Sequence, residues 1–150
     1  MPDDLKIKKL RSDEAKLAKE LFTFFQIDDG VENPTQASEE YLTKLLERPD
    51  FHVVVAIENG VVIGGLTAYE LLKYKSETTE MFLYEINVAA THRRKGVASA
   101  LIEFLKETCA EKNIKSMFVL AEADNLPAVR LYEKSDAEGF QAIEFDFEFE

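Results

Sequence analysis

The sequence predicts an α/β domain, a mixed sheet with helices packed against it, and three stretches predict it. Asn59-Gly60 stands between two apolar runs, the residue pair that a tight antiparallel hairpin demands. Residues 81–88 form an apolar strand that enters a basic loop closed by Gly96, then a helix to about residue 111, then a second strand over 114–122. Such a strand–helix–strand unit is parallel if its strands are neighbours. Residues 140–150 alternate, with Ile143, Phe145, Phe147 and Phe149 on one face and Glu144, Asp146, Glu148 and Glu150 on the other.

The elements follow in order. Residues 5–10 alternate weakly and predict a first strand. Ser12 is placed as the N-cap of a helix to about residue 26, with Asp13 and Glu14 in its first turn and Ala15, Ala18, Leu21, Phe22 and Phe25 on one face. Residues 27–37 read as an acidic loop. Ser38 caps a second helix over 39–48, with Tyr41, Leu42, Leu45 and Leu46 inward and Pro49 as its stop. A strand over 51–57 and its return over 61–72 follow, and Gly64-Gly65 within the return predicts a bulge or a close backbone approach. Residues 73–79 are a polar turn, and Glu80 opens the central strand. The strand over 114–122 has a continuous apolar centre, the mark of cover on both faces. A helix over 126–135 takes Pro127 in its first turn. No repeat or linker interrupts the chain, so 1–150 reads as one domain.

Composition excludes several classes. No apolar run approaches the ~20 residues that span a bilayer, and Met1-Pro2-Asp3-Asp4 lacks the basic and apolar segments of an export signal. A single cysteine, Cys109, suits a reducing cytoplasm. His52 and His92 stand apart from it, so no metal site is expected. The net charge of −11 argues against nucleic acid and is compatible with a cationic substrate, though acidity serves solubility equally well.

Against that charge, Arg93, Arg94 and Lys95 sit together before the helix. A glycine-closed loop at a helix N-terminus presents unpaired backbone N–H groups and a positive dipole end, an arrangement suited to a diphosphate. The Arg93-x-x-Gly96-x-Ala98 pattern resembles the acetyl-coenzyme A signature of the GNAT superfamily of N-acetyltransferases. Downstream, Asn125-Leu126-Pro127-Ala128-Val129-Arg130-Leu131-Tyr132 resembles the Asn-x-x-Ala-x-x-x-Tyr segment of the same superfamily, with Asn125 and Tyr132 on one helix face.

The resemblance implies the GNAT fold: a mostly antiparallel mixed sheet, helices on both faces, and a central parallel strand pair that splays. It implies acetyl-CoA as co-substrate without a metal. Arg93, Arg94, Lys95, Gly96, Val97, Ala98 and Ser99 would hold its pyrophosphate, and backbone groups at Val88, Ala89 and Ala90 its pantetheine arm. Asn125 and Ala128 would also meet the cofactor, although a capping role explains Asn125 as well. Tyr132 resembles the family's general acid; a tyrosine merely packed on the sheet is the alternative. Glu85, three residues before Val88, is the candidate base or amine anchor, against a structural ion pair, with Glu80 second.

Residues 80–96 look like the type I aminoglycoside 3-N-acetyltransferases, as do the run to Tyr132 and the acidic C-terminal strand. The implied acceptor is an aminoglycoside amine, with Asp28, Asp29, Glu32, Glu85, Glu144, Asp146 and Glu148 as candidate contacts for its ammonium groups. A polyamine or basic peptide is the rival acceptor, and a non-catalytic acyl-CoA-binding module the rival class. The turn from Tyr132 to Phe140 is two residues longer than the group's pattern, which leaves drug specificity open. The oligomeric state, a homodimer included, stays open too.

Overall fold

The computed structural model describes residues 4–150. Met1-Pro2-Asp3, on which the absence of an export signal partly rests, lie outside the described residues. The chain divides into two compact units, Met1–Leu120 and Ala121–Glu150.

The first unit holds a five-stranded sheet in the order β1-β2-β3-β4-β5. Its strands are β1 (Leu5–Lys9), β2 (Phe51–Glu58), β3 (Val61–Leu72), β4 (Thr79–Val88) and β5 (Ser116–Val119), and its helices are α1 (Ala15–Asp28), α2 (Glu39–Glu47) and α3 (Val97–Glu111). All pairings are antiparallel except β4 with β5, the mixed sheet that the sequence predicts. The β2–β3 turn forms at Asn59-Gly60, with φ of 51° and 78°, the doubly left-handed geometry that matches strand twist.

Helix α1 packs Ala18, Leu21 and Phe25 with Phe51, Val53 and Val55 in one apolar cluster. Full burial of a Leu21-sized side chain contributes about 1.5–3 kcal/mol. Alternation sends Val54, Ala56, Leu66, Ala68, Met81 and Leu83 to the opposite face, where α3 buries Val97, Leu101, Ile102 and Leu105. Helices therefore cover both faces. The close approach expected at Gly64-Gly65 is present: a Cβ on Gly65 would stand 2.6 Å from the Val54 carbonyl oxygen and 2.7 Å from Leu21 Cδ1.

Four local expectations change. Helix α1 starts at Ala15 rather than after Ser12, because Glu14 accepts the Arg11 backbone N–H and pairs with Lys8, organising the preceding turn. It runs on to Asp28, which removes Ile27 and Asp28 from the loop. Tyr41 is exposed rather than inward, whereas Ser38 does cap α2 by accepting the Tyr41 N–H at 3.1 Å. β5 is shorter than predicted and lies at the sheet edge, so its centre is only half-buried and Leu120 is exposed.

The second unit contains α4 (Leu126–Lys134), with Pro127 in its first turn. Residues 140–150 carry no strand pairing, and their apolar side chains are exposed. Alternation prescribes a face, but a strand also needs a neighbour to take its backbone hydrogen bonds, and within this unit there is no second strand.

Candidate active site

The site is built on an irregularity in β4. Its register against β3 runs Tyr69↔Phe82, Ala68↔Leu83, then Thr67↔Glu85, so Tyr84 is an inserted residue. Strict alternation would place Glu85 beside the buried Met81 and Leu83. The bulge shifts the phase by one, so Ile86 and Val88 continue the buried face and Glu85 turns to the other side. A carboxylate is thereby spared the cost of the core.

On that side lies a cleft of about 270 Å³, walled by Phe22, Phe25, Phe51, Tyr69 and Tyr84 and carrying Asp29, Thr67 and Glu85. Tyr69 holds Tyr84 edge-on at 5.5 Å and meets Phe51 at 4.8 Å, which stiffens the aromatic wall. Glu85 is open to solvent on one side, yet loss of water along the cleft raises its pKa above the ordinary carboxylate value. Like-charge repulsion from Asp29 raises it further. The Thr67 hydroxyl is buried with no hydrogen-bond partner among the described residues. Neither Thr67 nor the aromatic wall was legible in sequence, because each becomes part of the cleft only through strand register.

The strand also opens where the resemblance expects it. The parallel pairing of β4 with β5 spans Glu80↔Ser116 to Leu83↔Val119 and stops, while β4 continues to Val88. Phe82 stacks on Phe118 at 4.4 Å just before the opening. Beyond it, no strand among the described residues pairs with the β4 edge from Tyr84 to Val88; at its end the Val88 N–H donates to Asn87 Oδ1 at 3.0 Å.

The loop that follows turns through Arg94 (φ 64°) and Gly96 (φ 83°) into α3, where Gly96 is the N-cap. The first helical bond runs from Ala100 N–H to the Gly96 carbonyl at 3.0 Å. Val97, Ala98 and Ser99 therefore have no helical acceptor for their N–H groups, and the dipole adds positive potential there. Arg94 and Lys95 are exposed beside them. Arg93 is used differently: Nε donates to the Val88 carbonyl at 2.9 Å and Nη2 to Asp28 at 3.0 and 3.2 Å. Asn87 also donates to Asp28. Arg93 thus braces the loop against β4 and α1, and Asp28 is held in this internal cluster, outside the residues that line the cleft.

The remaining candidates fall elsewhere. Glu80 accepts from the Ser116 hydroxyl at 3.2 Å, five residues before Glu85 on β4 and away from the cleft. Glu32 is exposed and does not line it. In the second unit, the Asn125 side chain accepts the Ala128 N–H at 3.3 Å, so it caps α4. Burial raises the Tyr132 phenol above its ordinary pKa. Glu144, Asp146 and Glu148 are exposed. Among the described residues no cluster suits a metal ion, and no helix is long and apolar enough to cross a membrane.

A bulged strand that parts from its parallel neighbour, an amide-rich helix start beside its end, and a carboxylate-bearing cleft together define an acyl-transfer architecture. Residues 16–136 match the acetyltransferase (GNAT) family, and the chain belongs to that family. It is 29% identical over 122 residues to a streptothricin acetyltransferase of Escherichia coli, covering 79% of this chain and 67% of that protein. The aminoglycoside acetyltransferase meta-AAC0020 from an uncultured soil metagenomic sample, solved in complex with sisomicin, is similar with a TM-score of 0.94 and 26% identity. That likeness covers 99% of this chain and 98% of the other. A second soil metagenomic aminoglycoside acetyltransferase, HMB0005, shares 33% identity with a TM-score of 0.88 over 97% of this chain and 99% of its own.

Proposed function

We propose that this acetyltransferase moves the acetyl group of acetyl-CoA to a primary amine of a polycationic aminosugar, an aminoglycoside, with the 3-amino group as the acceptor position. The observation that carries the reading is the cleft: aromatic walls to receive the apolar face of a sugar ring, with Glu85 and Asp29 to meet its ammonium groups. At ~4 Å and an effective dielectric near ~20, each such contact has about 4 kcal/mol of Coulomb attraction before desolvation. The net charge of −11 draws cations toward it. The sisomicin complex of the soil relative supports the same acceptor class.

In the proposed mechanism acetyl-CoA, as substrate, supplies the thioester. The N–H groups of Gly96 to Ser99 hold its pyrophosphate with Arg94 and Lys95, and the open edge of β4 near Val88 to Ala90 aligns its pantetheine arm. The Val88 N–H meets Asn87 Oδ1 and the Ala89 N–H meets the Ile63 carbonyl, so the Val88 N–H polarises the thioester carbonyl by exchanging its side-chain partner for the substrate. Glu85 takes a proton from the acceptor ammonium, and its raised pKa brings it closer to that task at neutral pH. The free amine attacks, the N–C bond forms, and the C–S bond breaks. Tyr132 offers its phenolic proton to the departing thiolate. On this reading residues 1–150 act as one catalytic domain, and the family match over residues 16–136, which enters both units, supports it.

Coenzyme A thiol release tests this against gentamicin-type aminoglycosides, streptothricin, spermidine and basic peptides, with the acetylated position read by NMR. Release with aminoglycosides and acetylation at the 3-amino group is expected. Release with streptothricin alone would favour the second reading, for which the Escherichia coli relative speaks. Coenzyme A binding with no turnover on any amine would overturn catalysis and leave a binding module.

A further inference from the structure

We propose that Thr67 reads the acceptor: its hydroxyl binds a hydroxyl group on the ring that carries the attacking amine, so the cleft selects an amino alcohol over a plain polyamine. This recognition rests on the aminosugar reading and adds to it the group on the sugar that the site engages. Two polar residues of the sheet are buried among the described residues, His52 and Thr67. His52 bonds Glu70 through Nε2 at 2.5 Å, whereas the hydroxyl of Thr67, a residue 5% exposed, has no hydrogen-bond partner. A buried hydroxyl without a partner is costly, and valine would fill such a strand position without that cost. Val53, paired with Thr67 across β2 and β3, shows what packing alone asks for on this face.

The hydroxyl stands where a substrate can supply the partner. Thr67 lines the same cleft as Glu85, and the two residues are paired across β3 and β4. Residues opposite one another on antiparallel strands share a face, with Cβ atoms about 4.5–5.5 Å apart. One ring with its amine at Glu85 and a hydroxyl at Thr67 spans that interval. A step between staggered rotamers swings the threonine hydroxyl toward the cleft without moving β3.

The other polar groups of the cleft suit different partners. Glu85 and Asp29, once ionised, only accept hydrogen bonds, which fits them to ammonium groups. The Gln26 amide is engaged at both ends: Nε2 donates to the Thr35 carbonyl at 2.8 Å, and Oε1 accepts the Thr35 N–H at 2.9 Å. A threonine hydroxyl both donates and accepts, as a neutral sugar hydroxyl does. Spermidine has no hydroxyl to offer it, and its entry leaves the Thr67 group as unpaired as before.

Sisomicin and its 5-deoxy derivative supply the test, since the 5-hydroxyl is the free one on the ring that bears the 3-amino group. Coenzyme A thiol release gives kcat/KM on each compound for the parent, Thr67→Val and Thr67→Ser. The parent is expected to prefer sisomicin. Thr67→Val should lower kcat/KM for sisomicin by about 10–100-fold and leave that for the 5-deoxy compound within about twofold. Thr67→Ser should keep the preference. The losses from the residue and from the substrate group should fail to add, as they do when the two touch. In urea at pH 7, Thr67→Val should unfold at a higher concentration than the parent, because it removes a hydroxyl that the free protein leaves unpaired. Its pH profile should keep the parent's acidic limb. Equal losses on both compounds, a displaced acidic limb, or a lower urea midpoint for Thr67→Val would overturn the proposal while acetyl transfer to the aminosugar stands. No thiol release from the parent with sisomicin would instead overturn the aminosugar reading, and the role of Thr67 with it.

Discussion

Replacing Glu85 by glutamine keeps the side chain's size and removes its basicity. If Glu85 is the base, kcat/KM should fall by about 10²–10⁴ on the neutral plateau, the usual contribution of a positioned proton acceptor. At 1.36 kcal/mol per decade this is about 3–5 kcal/mol of barrier. The pH profile is the sharper reading. Burial along the cleft and the neighbouring Asp29 raise the Glu85 pKa, so the acidic limb of kcat/KM should break above the usual carboxylate range. Asp29→Asn should move that break to lower pH. Stability should change in the opposite sense from activity. A carboxyl whose folded pKa lies above its unfolded value contributes stability below the unfolded pKa and loses it as pH rises through the folded one. Glu85→Gln should therefore leave the protein more resistant to urea at pH 7 than the parent, with the difference shrinking toward pH 4. An unchanged kcat/KM, or an acidic limb that survives Glu85→Gln, would refute the assignment.

Other expectations follow from the same geometry. Arg93→Gln should cost about 1.5–3 kcal/mol in urea unfolding, since it removes charged hydrogen bonds to Val88 and Asp28, and should raise KM for acetyl-CoA. Asp28→Asn should lower stability while leaving the acceptor KM within about twofold, because internal groups engage Asp28; a selective rise in acceptor KM would return it to the substrate site. Gly65→Ala should cost about 2–3 kcal/mol and roughly 6–10 °C in Tm, because its Cβ would meet the Val54 carbonyl at 2.6 Å. Near-neutral pH should matter through His52, which is buried and bonded to Glu70 at 2.5 Å. Burial lowers its pKa against the pull of Glu70, while Lys9 and Lys112 lower it further, so folding stability should be held above about pH 6.5 and decline as pH falls below that value. His52→Gln should flatten that slope in urea titrations.

Several elements could be read without coordinates because their causes are local. Asn59-Gly60 sets its own turn, Ser38 caps α2 from within four residues, and Gly96 takes a left-handed φ where the basic loop meets α3. The signature around Arg93 to Ala98 and the segment from Asn125 to Tyr132 are likewise contiguous, so family membership was visible in the order of residues. Where distant partners decide, the sequence was silent. Its alternation could say that Glu85 opposed Phe82 and Tyr84, but only the pairing with Thr67 and Ala68 shows Tyr84 inserted and Glu85 turned to the cleft. Its acidic loop could not separate Asp28, drawn to Arg93 sixty-five residues away, from Asp29, which lines the cleft. Its final alternation specified a strand's two faces without specifying a neighbour. Period and turn chemistry are properties of a few adjacent residues, whereas register, ion-pair choice and strand pairing depend on what the folded chain brings alongside.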